Sequence, residues 1–226
     1  MPSPFFVLSA LMVALTFVTG MTDAIGLVRL GGVFTSVMTG NMVFLGTAAG
    51  EHSLSIAGHV GLAFVAYAVG AMCGARVAGR PAPDGRLWPT SVTRALTVEL
   101  CLFVVFAVCW ELSNGRPGAG LGLCLLATNA VALGIQSSAV LRLGISGLST
   151  TYLTGTLTAV LVALASREPS REALRSTAIL FGLVVGAAAG AALTLSVPRL
   201  APLPLLAALL GVIALSSSRL VGLERG

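Results

Sequence analysis

The sequence predicts an all-α membrane protein of six transmembrane helices plus two re-entrant half-helices, arranged as an inverted repeat within one domain. Three observations predict it. Of the 226 residues, 56% are apolar and 9% are charged, and the mean hydropathy is +0.99. Soluble domains carry about 25% charged residues, so this chain has too little polar surface to face water on all sides. Apolar runs long enough to span a bilayer recur along it, and two runs at corresponding places are interrupted by small polar residues.

A helix needs about 20 apolar residues to cross the hydrocarbon core. With Gly and Pro taken as breakers, candidate segments fall near 4–27, 34–49, 55–78, 92–110, 119–141, 149–165, 174–196 and 201–220. The first lacks a basic leader and a small-residue cleavage site, so it reads as a retained helix and not a signal peptide. Segments two and six open differently from the rest. One begins Gly31-Gly32-Val33-Phe34-Thr35-Ser36-Val37-Met38-Thr39-Gly40-Asn41, the other Ile145-Ser146-Gly147-Leu148-Ser149-Thr150-Thr151-Tyr152-Leu153-Thr154-Gly155-Thr156. The clean apolar helix left after each is about nine residues, or roughly 14 Å. That is half a membrane.

The charges test this division. The net charge of +5 includes thirteen arginines and no lysine. They are dispersed between apolar runs, which excludes the clustered basic face of a nucleic-acid binder. If all eight segments cross, the arginines divide seven against six. If segments two and six are re-entrant, Arg76, Arg80, Arg86, Arg94, Arg142, Arg167, Arg171, Arg175, Arg219 and Arg225 share one face, against Arg29, Arg116 and Arg199 on the other. Ten against three is the asymmetry of a cytoplasmic face. It puts both termini in the cytoplasm.

The halves also match in detail, with repeat one over about 1–111 and repeat two over about 117–222. Gly20-x-x-Asp23-Ala24, Val28-Arg29-Leu30-Gly31 and Met38-Thr39-Gly40-Asn41 answer to Gly134-x-Gln136-x-x-Ala139, Leu141-Arg142-Leu143-Gly144 and Leu153-Thr154-Gly155-Thr156. The second copy needs a two-residue insertion. Inverted repeats with interrupted short segments point to a transport site, because broken backbone at membrane depth is tolerated only inside protein or along a wet cavity. Half-helix starts also aim free N–H groups and a positive dipole end at the bundle centre. The expected solute site is therefore Thr39, Gly40 and Asn41 facing Thr154, Gly155 and Thr156, with Asp23, Gln136, Arg29 and Arg142 behind them. Against this stands the plainer reading that Thr and Gly only pack helices.

These residues resemble the YoaK-like family of bacterial membrane proteins, a domain of unknown function. The resemblance rests on Asp23-Ala24, Gly32-Val33-Phe34, Met38-Thr39-Gly40-Asn41, Gly134-x-Gln136 and Thr150-Thr151-Tyr152-Leu153-Thr154-Gly155-Thr156-Leu157. It spans nearly the whole chain and implies a bacterial inner-membrane protein of this size. It brings no substrate with it.

Asp23 and Glu99 are the candidates for ion coupling. The competing roles are Asp23 accepting hydrogen bonds from the broken backbone and an interfacial pair between Glu99 and Arg94. Arg29 and Arg142 either draw an anion inward or snorkel to opposite interfaces. Trp88 and Trp110 read as interfacial aromatics, His52 and His59 as solvated residues, and Glu168, Arg171, Glu172 and Arg175 as a solvated first turn. Cys73, Cys101, Cys109 and Cys124 lie in apolar runs without paired spacing, so they read as buried thiols and not as metal ligands. No cofactor or metal is expected; the partners are membrane lipid, a small solute and a second copy of the chain in a homo-oligomer. The function these features predict is a small transporter or channel for a polar or anionic solute, not an enzyme. The alternatives are an assembly partner in a membrane complex and an intramembrane enzyme, the latter lacking any Ser/His, HExxH or paired-Asp arrangement.

Overall fold

The computed structural model describes residues 4–79, 88–143, 153–166 and 171–219. All regular structure among them is helical: α1 Pro4–Arg29, α2 Met38–Gly50, α3 Leu54–Ala78, α4 Thr90–Leu112, α5 Ala119–Leu141, α6 Leu153–Ala165, α7 Arg171–Ser196 and α8 Leu203–Arg219, with a 3-10 turn at Pro198–Leu200. Among the described residues six helices are long and apolar enough to cross a membrane. α2 and α6 are the short ones, at 13 residues each. The expected helices are present and their order holds; the 145–152 part of the second interruption lies outside the described residues.

Helices in lipid gain little from hiding apolar side chains, so close backbone approach through small residues decides which faces meet. Two glycine-lined crossings do this here. Gly182, Gly186 and Gly190 of α7 lie against Val13, Phe17 and Met21 of α1, and Gly20 of α1 lies against Leu183 and Ala187. Gly70 and Gly74 of α3 lie against Val131 and Ile135 of α5, and Gly134 lies against Tyr67 and Ala71. In both pairs the helices run parallel. The two sets share one spacing: Phe17, Gly20 and Met21 answer to Val131, Gly134 and Ile135, while Leu183, Gly186, Ala187 and Gly190 answer to Tyr67, Gly70, Ala71 and Gly74.

The other contacts follow the same plan. α4 packs on α5 and α8 on α1, α4 meets α8, α2 rests on α3, and α6 rests on α7. α4 turns one stripe inward, at Val92, Ala95, Leu96, Glu99, Phe103, Phe106 and Trp110, the spacing of a single helical face. α8 buries Ala201, Leu205, Leu209, Val212 and Ser216. Large apolar side chains such as Val43, Leu161, Phe181 and Val184 point outward, the surface expected of a protein solvated by lipid.

Contacts at the helix ends fix which ends lie together. Gly31 and Gly32 follow α1 with φ of 102° and 74°, a region open to glycine at little cost, and Gly31 sits against the His59 ring near the start of α3. Trp110 near the end of α4 donates to the Pro198 carbonyl after α7 at 2.7 Å, and Arg199 there bonds Asn114 and lies 3.6 Å from Glu111. Arg142 donates to the Ala75 carbonyl at 3.2 Å, joining the ends of α5 and α3. The Arg175 guanidinium lies 5.6 Å from the centre of the Phe5 ring, joining the starts of α7 and α1.

Several local expectations are corrected. Trp88 and Trp110 sit at helix ends as expected, but both are fully buried, because Thr93 and Pro198 satisfy their indole N–H groups inside the bundle. Cys73, Cys101 and Cys124 are exposed and Cys109 is half-buried, since an apolar run in lipid does not distinguish interior from exterior. His59 is half-buried against Gly31, with Nδ1 2.7 Å from the Ser55 carbonyl.

Candidate functional site

The interruption between α1 and α2 is a built structure. Asp23 accepts four hydrogen bonds from two consecutive residues: Thr35 N–H (2.7 Å), Thr35 hydroxyl (2.8 Å), Ser36 N–H (2.9 Å) and Ser36 hydroxyl (2.5 Å). Asn41, one turn into α2, clasps Phe34 from the other side. Its Oδ1 accepts from Phe34 N–H at 3.0 Å and its Nδ2 donates to the Phe34 carbonyl at 2.7 Å. The Phe34 ring stacks on Phe44 of α2 with centroids 5.8 Å apart. Val37 at the helix start makes no side-chain cap, so Asp23 and Asn41 satisfy the backbone that the break leaves open. Of the two roles weighed for Asp23, the geometry is that of the backbone clamp.

The residues expected at the two helix starts divide between surface and interior. Thr39 and Thr154 are exposed, Gly40 is half-buried against Phe34, and Gly155 is exposed with open space where a side chain would stand. Asn41 is fully buried and Thr156 nearly so. α2 lies on α3 and α6 lies on α7, so the threonines flank different helices. Each short helix is held by the long helix that follows it. Arg29 and Arg142 are also apart: Arg142 bonds the end of α3, while Arg29 is half-buried at the end of α1 with its Nε unpartnered among the described residues.

Polar groups do gather in the interior, on α1, α4 and α5. Gln136 is buried and donates through Nε2 to the Thr19 hydroxyl at 2.8 Å, with the Leu15 carbonyl at 3.4 Å, while its Oε1 has no partner among the described residues. Thr16, Thr19 and Thr22 line α1, each hydroxyl donating to the carbonyl four residues back. Asn129 and Glu99 are wholly buried, and none of their side-chain oxygen or nitrogen atoms has a partner among the described residues. Arg94 is exposed and does not pair with Glu99, so the interfacial pair expected from sequence is absent. Asn129 was not singled out from the sequence. The signal for it is an amide at the centre of a span, in Ala127-Thr128-Asn129-Ala130. The groove between α1 and α8 is different: about 360 Å³ and lined by apolar residues such as Leu11, Ala14 and Val212.

Parallel helix pairs locked through glycine, a clamped interruption and a polar interior define a polytopic α-helical membrane protein. The family described as "Protein of unknown function (DUF1275)" matches residues 11–216, and the chain belongs to that family. It is 35% identical over 151 residues to the UPF0700 transmembrane protein YoaK of Bacillus subtilis (strain 168). That match covers 67% of this chain and 64% of the relative, a little under two thirds of its length. No solved structure matches the chain.

Proposed function

We propose that the protein is a small secondary transporter or channel for a small polar or anionic solute in the bacterial inner membrane. It is built as an inverted repeat in which α2 and α6 return to the face they left. The observation that carries the reading is the pairing of helix ends. Between the end of α4 and the end of α7 the chain runs through α5, α6 and α7, yet the two ends touch at Trp110 and Pro198. Two long spans make an even number of crossings, so α6 adds none. Likewise Gly31 after α1 meets His59 early in α3, which leaves α2 no net crossing. Together with the matching spacing of the glycine crossings, this supports two copies of a four-helix unit in opposite orientation, the arrangement that transporters use for alternating access.

The solute path runs through the interior of α1, α4 and α5, not between the two helix starts. There the Gln136 and Asn129 amides offer unpartnered polar atoms, and buried polar groups in lipid are costly unless they serve a ligand, water or another partner. The arginine asymmetry supports a cytoplasmic position for both termini.

The test is flux. Purified protein in liposomes is challenged with stepwise gradients of urea, glycerol, formate, acetate and nitrate, and vesicle volume is followed by light scattering. At least one solute should equilibrate faster than in protein-free vesicles, and Gln136→Leu should slow it several-fold while the protein remains inserted. Rates equal to those of empty vesicles for the whole panel would remove the transport reading.

A further inference from the structure

We propose that Glu99 and Asn129 form a mid-membrane site for one monovalent cation, a proton or sodium, which couples the solute movement proposed above; the coupling rests on that reading, and the binding does not. Glu99 lies two residues from the centre of α4, and Asn129 lies one residue from the centre of α5. The two helices pack together and are joined by a short turn. Glu99 stands 13 residues before the end of α4 and Asn129 stands 10 after the start of α5, so their depths differ by about 4.5 Å, less than one helical turn. Both are 0% exposed with every polar side-chain atom unpartnered among the described residues.

A lone carboxylate in a hydrocarbon interior is too costly to persist without a positive charge. No protein group at that depth supplies one on the helices packed against α4. α5 has no charged residue, α8 has only Arg219 at its end, and α3 has only His59 and Arg76 toward its ends. A bound cation completes the balance, with the Asn129 carbonyl oxygen as a neutral second ligand.

The other half of the molecule argues that this polarity is no requirement of the fold. Stepping 113 positions from α4 to α8 carries Trp88, Val92, Leu96, Glu99 and Phe103 onto Ala201, Leu205, Leu209, Val212 and Ser216, all buried. Glu99 therefore corresponds to Val212. By the register of the glycine crossings, Asn129 corresponds to Leu15. Val212 is 1% exposed and Leu15 0%, and the α1–α8 groove that Val212 lines is apolar. The same packing place accepts a valine and a leucine in one half and holds an acid and an amide in the other.

Dicyclohexylcarbodiimide tests the site without a solute. This apolar reagent modifies protonated carboxyls within membranes, and mass spectrometry locates the adduct. The intact protein in lipid nanodiscs should be modified at Glu99 and not at Asp23, whose carboxylate is fully hydrogen-bonded. Labelling that falls only as pH rises identifies the proton; labelling that excess sodium, but not choline, also suppresses identifies sodium. Glu99→Gln should abolish it, and Asn129→Leu should shift its cation dependence at least threefold. No modification of Glu99 at any pH, in a preparation that labels after unfolding, overturns the site. An unchanged profile in Asn129→Leu removes Asn129 from it. Glu99→Val, which copies Val212, should keep the native melting temperature; a collapse of the fold in that variant would make Glu99 structural and also overturn the proposal. Positive labelling with no solute flux would retain the cation site and discard the transport reading, and the converse result would do the opposite.

Discussion

Asp23 and Glu99 are both carboxyl groups buried in spanning helices, and their surroundings give them different work. Asp23 accepts from two backbone N–H groups and two hydroxyls, so removing it leaves buried donors without their acceptor. Asp23→Ala should lower stability by about 1–3 kcal/mol for each backbone donor left unsatisfied. Asp23→Asn keeps an acceptor for part of the set and should cost less. Thermal unfolding in detergent, followed through the buried Trp88 and Trp110, reads both changes. An Asp23→Ala protein that melts with the wild type would show that the clamp contributes nothing. Sequence pointed to Asp23, Asn41 and the broken backbone between them, but not to which of its residues each would hold, because that pairing exists only once the chain folds back.

The elements were legible because lipid fixes their length. The expected segments and the observed helices differ by no more than about four residues at any end, and 119–141 coincides with α5. The faces were much less legible. In water an apolar stripe marks the inside of a helix, whereas in lipid both sides are apolar, and the cysteines were misread for that reason. Small residues carry the missing information, and their consequences differ by site. A side chain at Gly186 or Gly70 would run into the backbone of Phe17 or Val131, while one at Gly155 would meet open space. Gly186→Leu and Gly70→Leu should each separate a helix pair and cost at least the roughly 1–3 kcal/mol typical of overpacking. Gly155→Leu should stay within about 0.5 kcal/mol of the wild type. Melting temperatures of the three variants in one detergent test the ranking, and a Gly155→Leu variant as damaged as Gly186→Leu would show that α6 is packed on its outer side as well.

For the whole molecule, the decisive quantity is the parity of crossings, since the repeat, the orientation and the proposed path all depend on it. If α2 and α6 return to the face they left, the α3–α4 connection and the residues after α6 share one face. The α2–α3 and α4–α5 turns then share the other. If all eight helices cross, the α3–α4 connection and the end of α6 lie on opposite faces, and the α2–α3 turn joins the end of α6. Single cysteines on a background lacking the four native ones separate these cases, with Ala82→Cys, Ser166→Cys, Ser53→Cys and Ser113→Cys labelled by a membrane-impermeant maleimide in spheroplasts and in inverted vesicles. Ala82→Cys and Ser166→Cys should react only from the cytoplasmic side, where ten of the thirteen arginines would lie. Ser53→Cys and Ser113→Cys should react only from the opposite side. Labelling of Ala82→Cys and Ser166→Cys from different sides would break the symmetry relation between Glu99 and Val212, and with it the argument that the acid is dispensable to the fold.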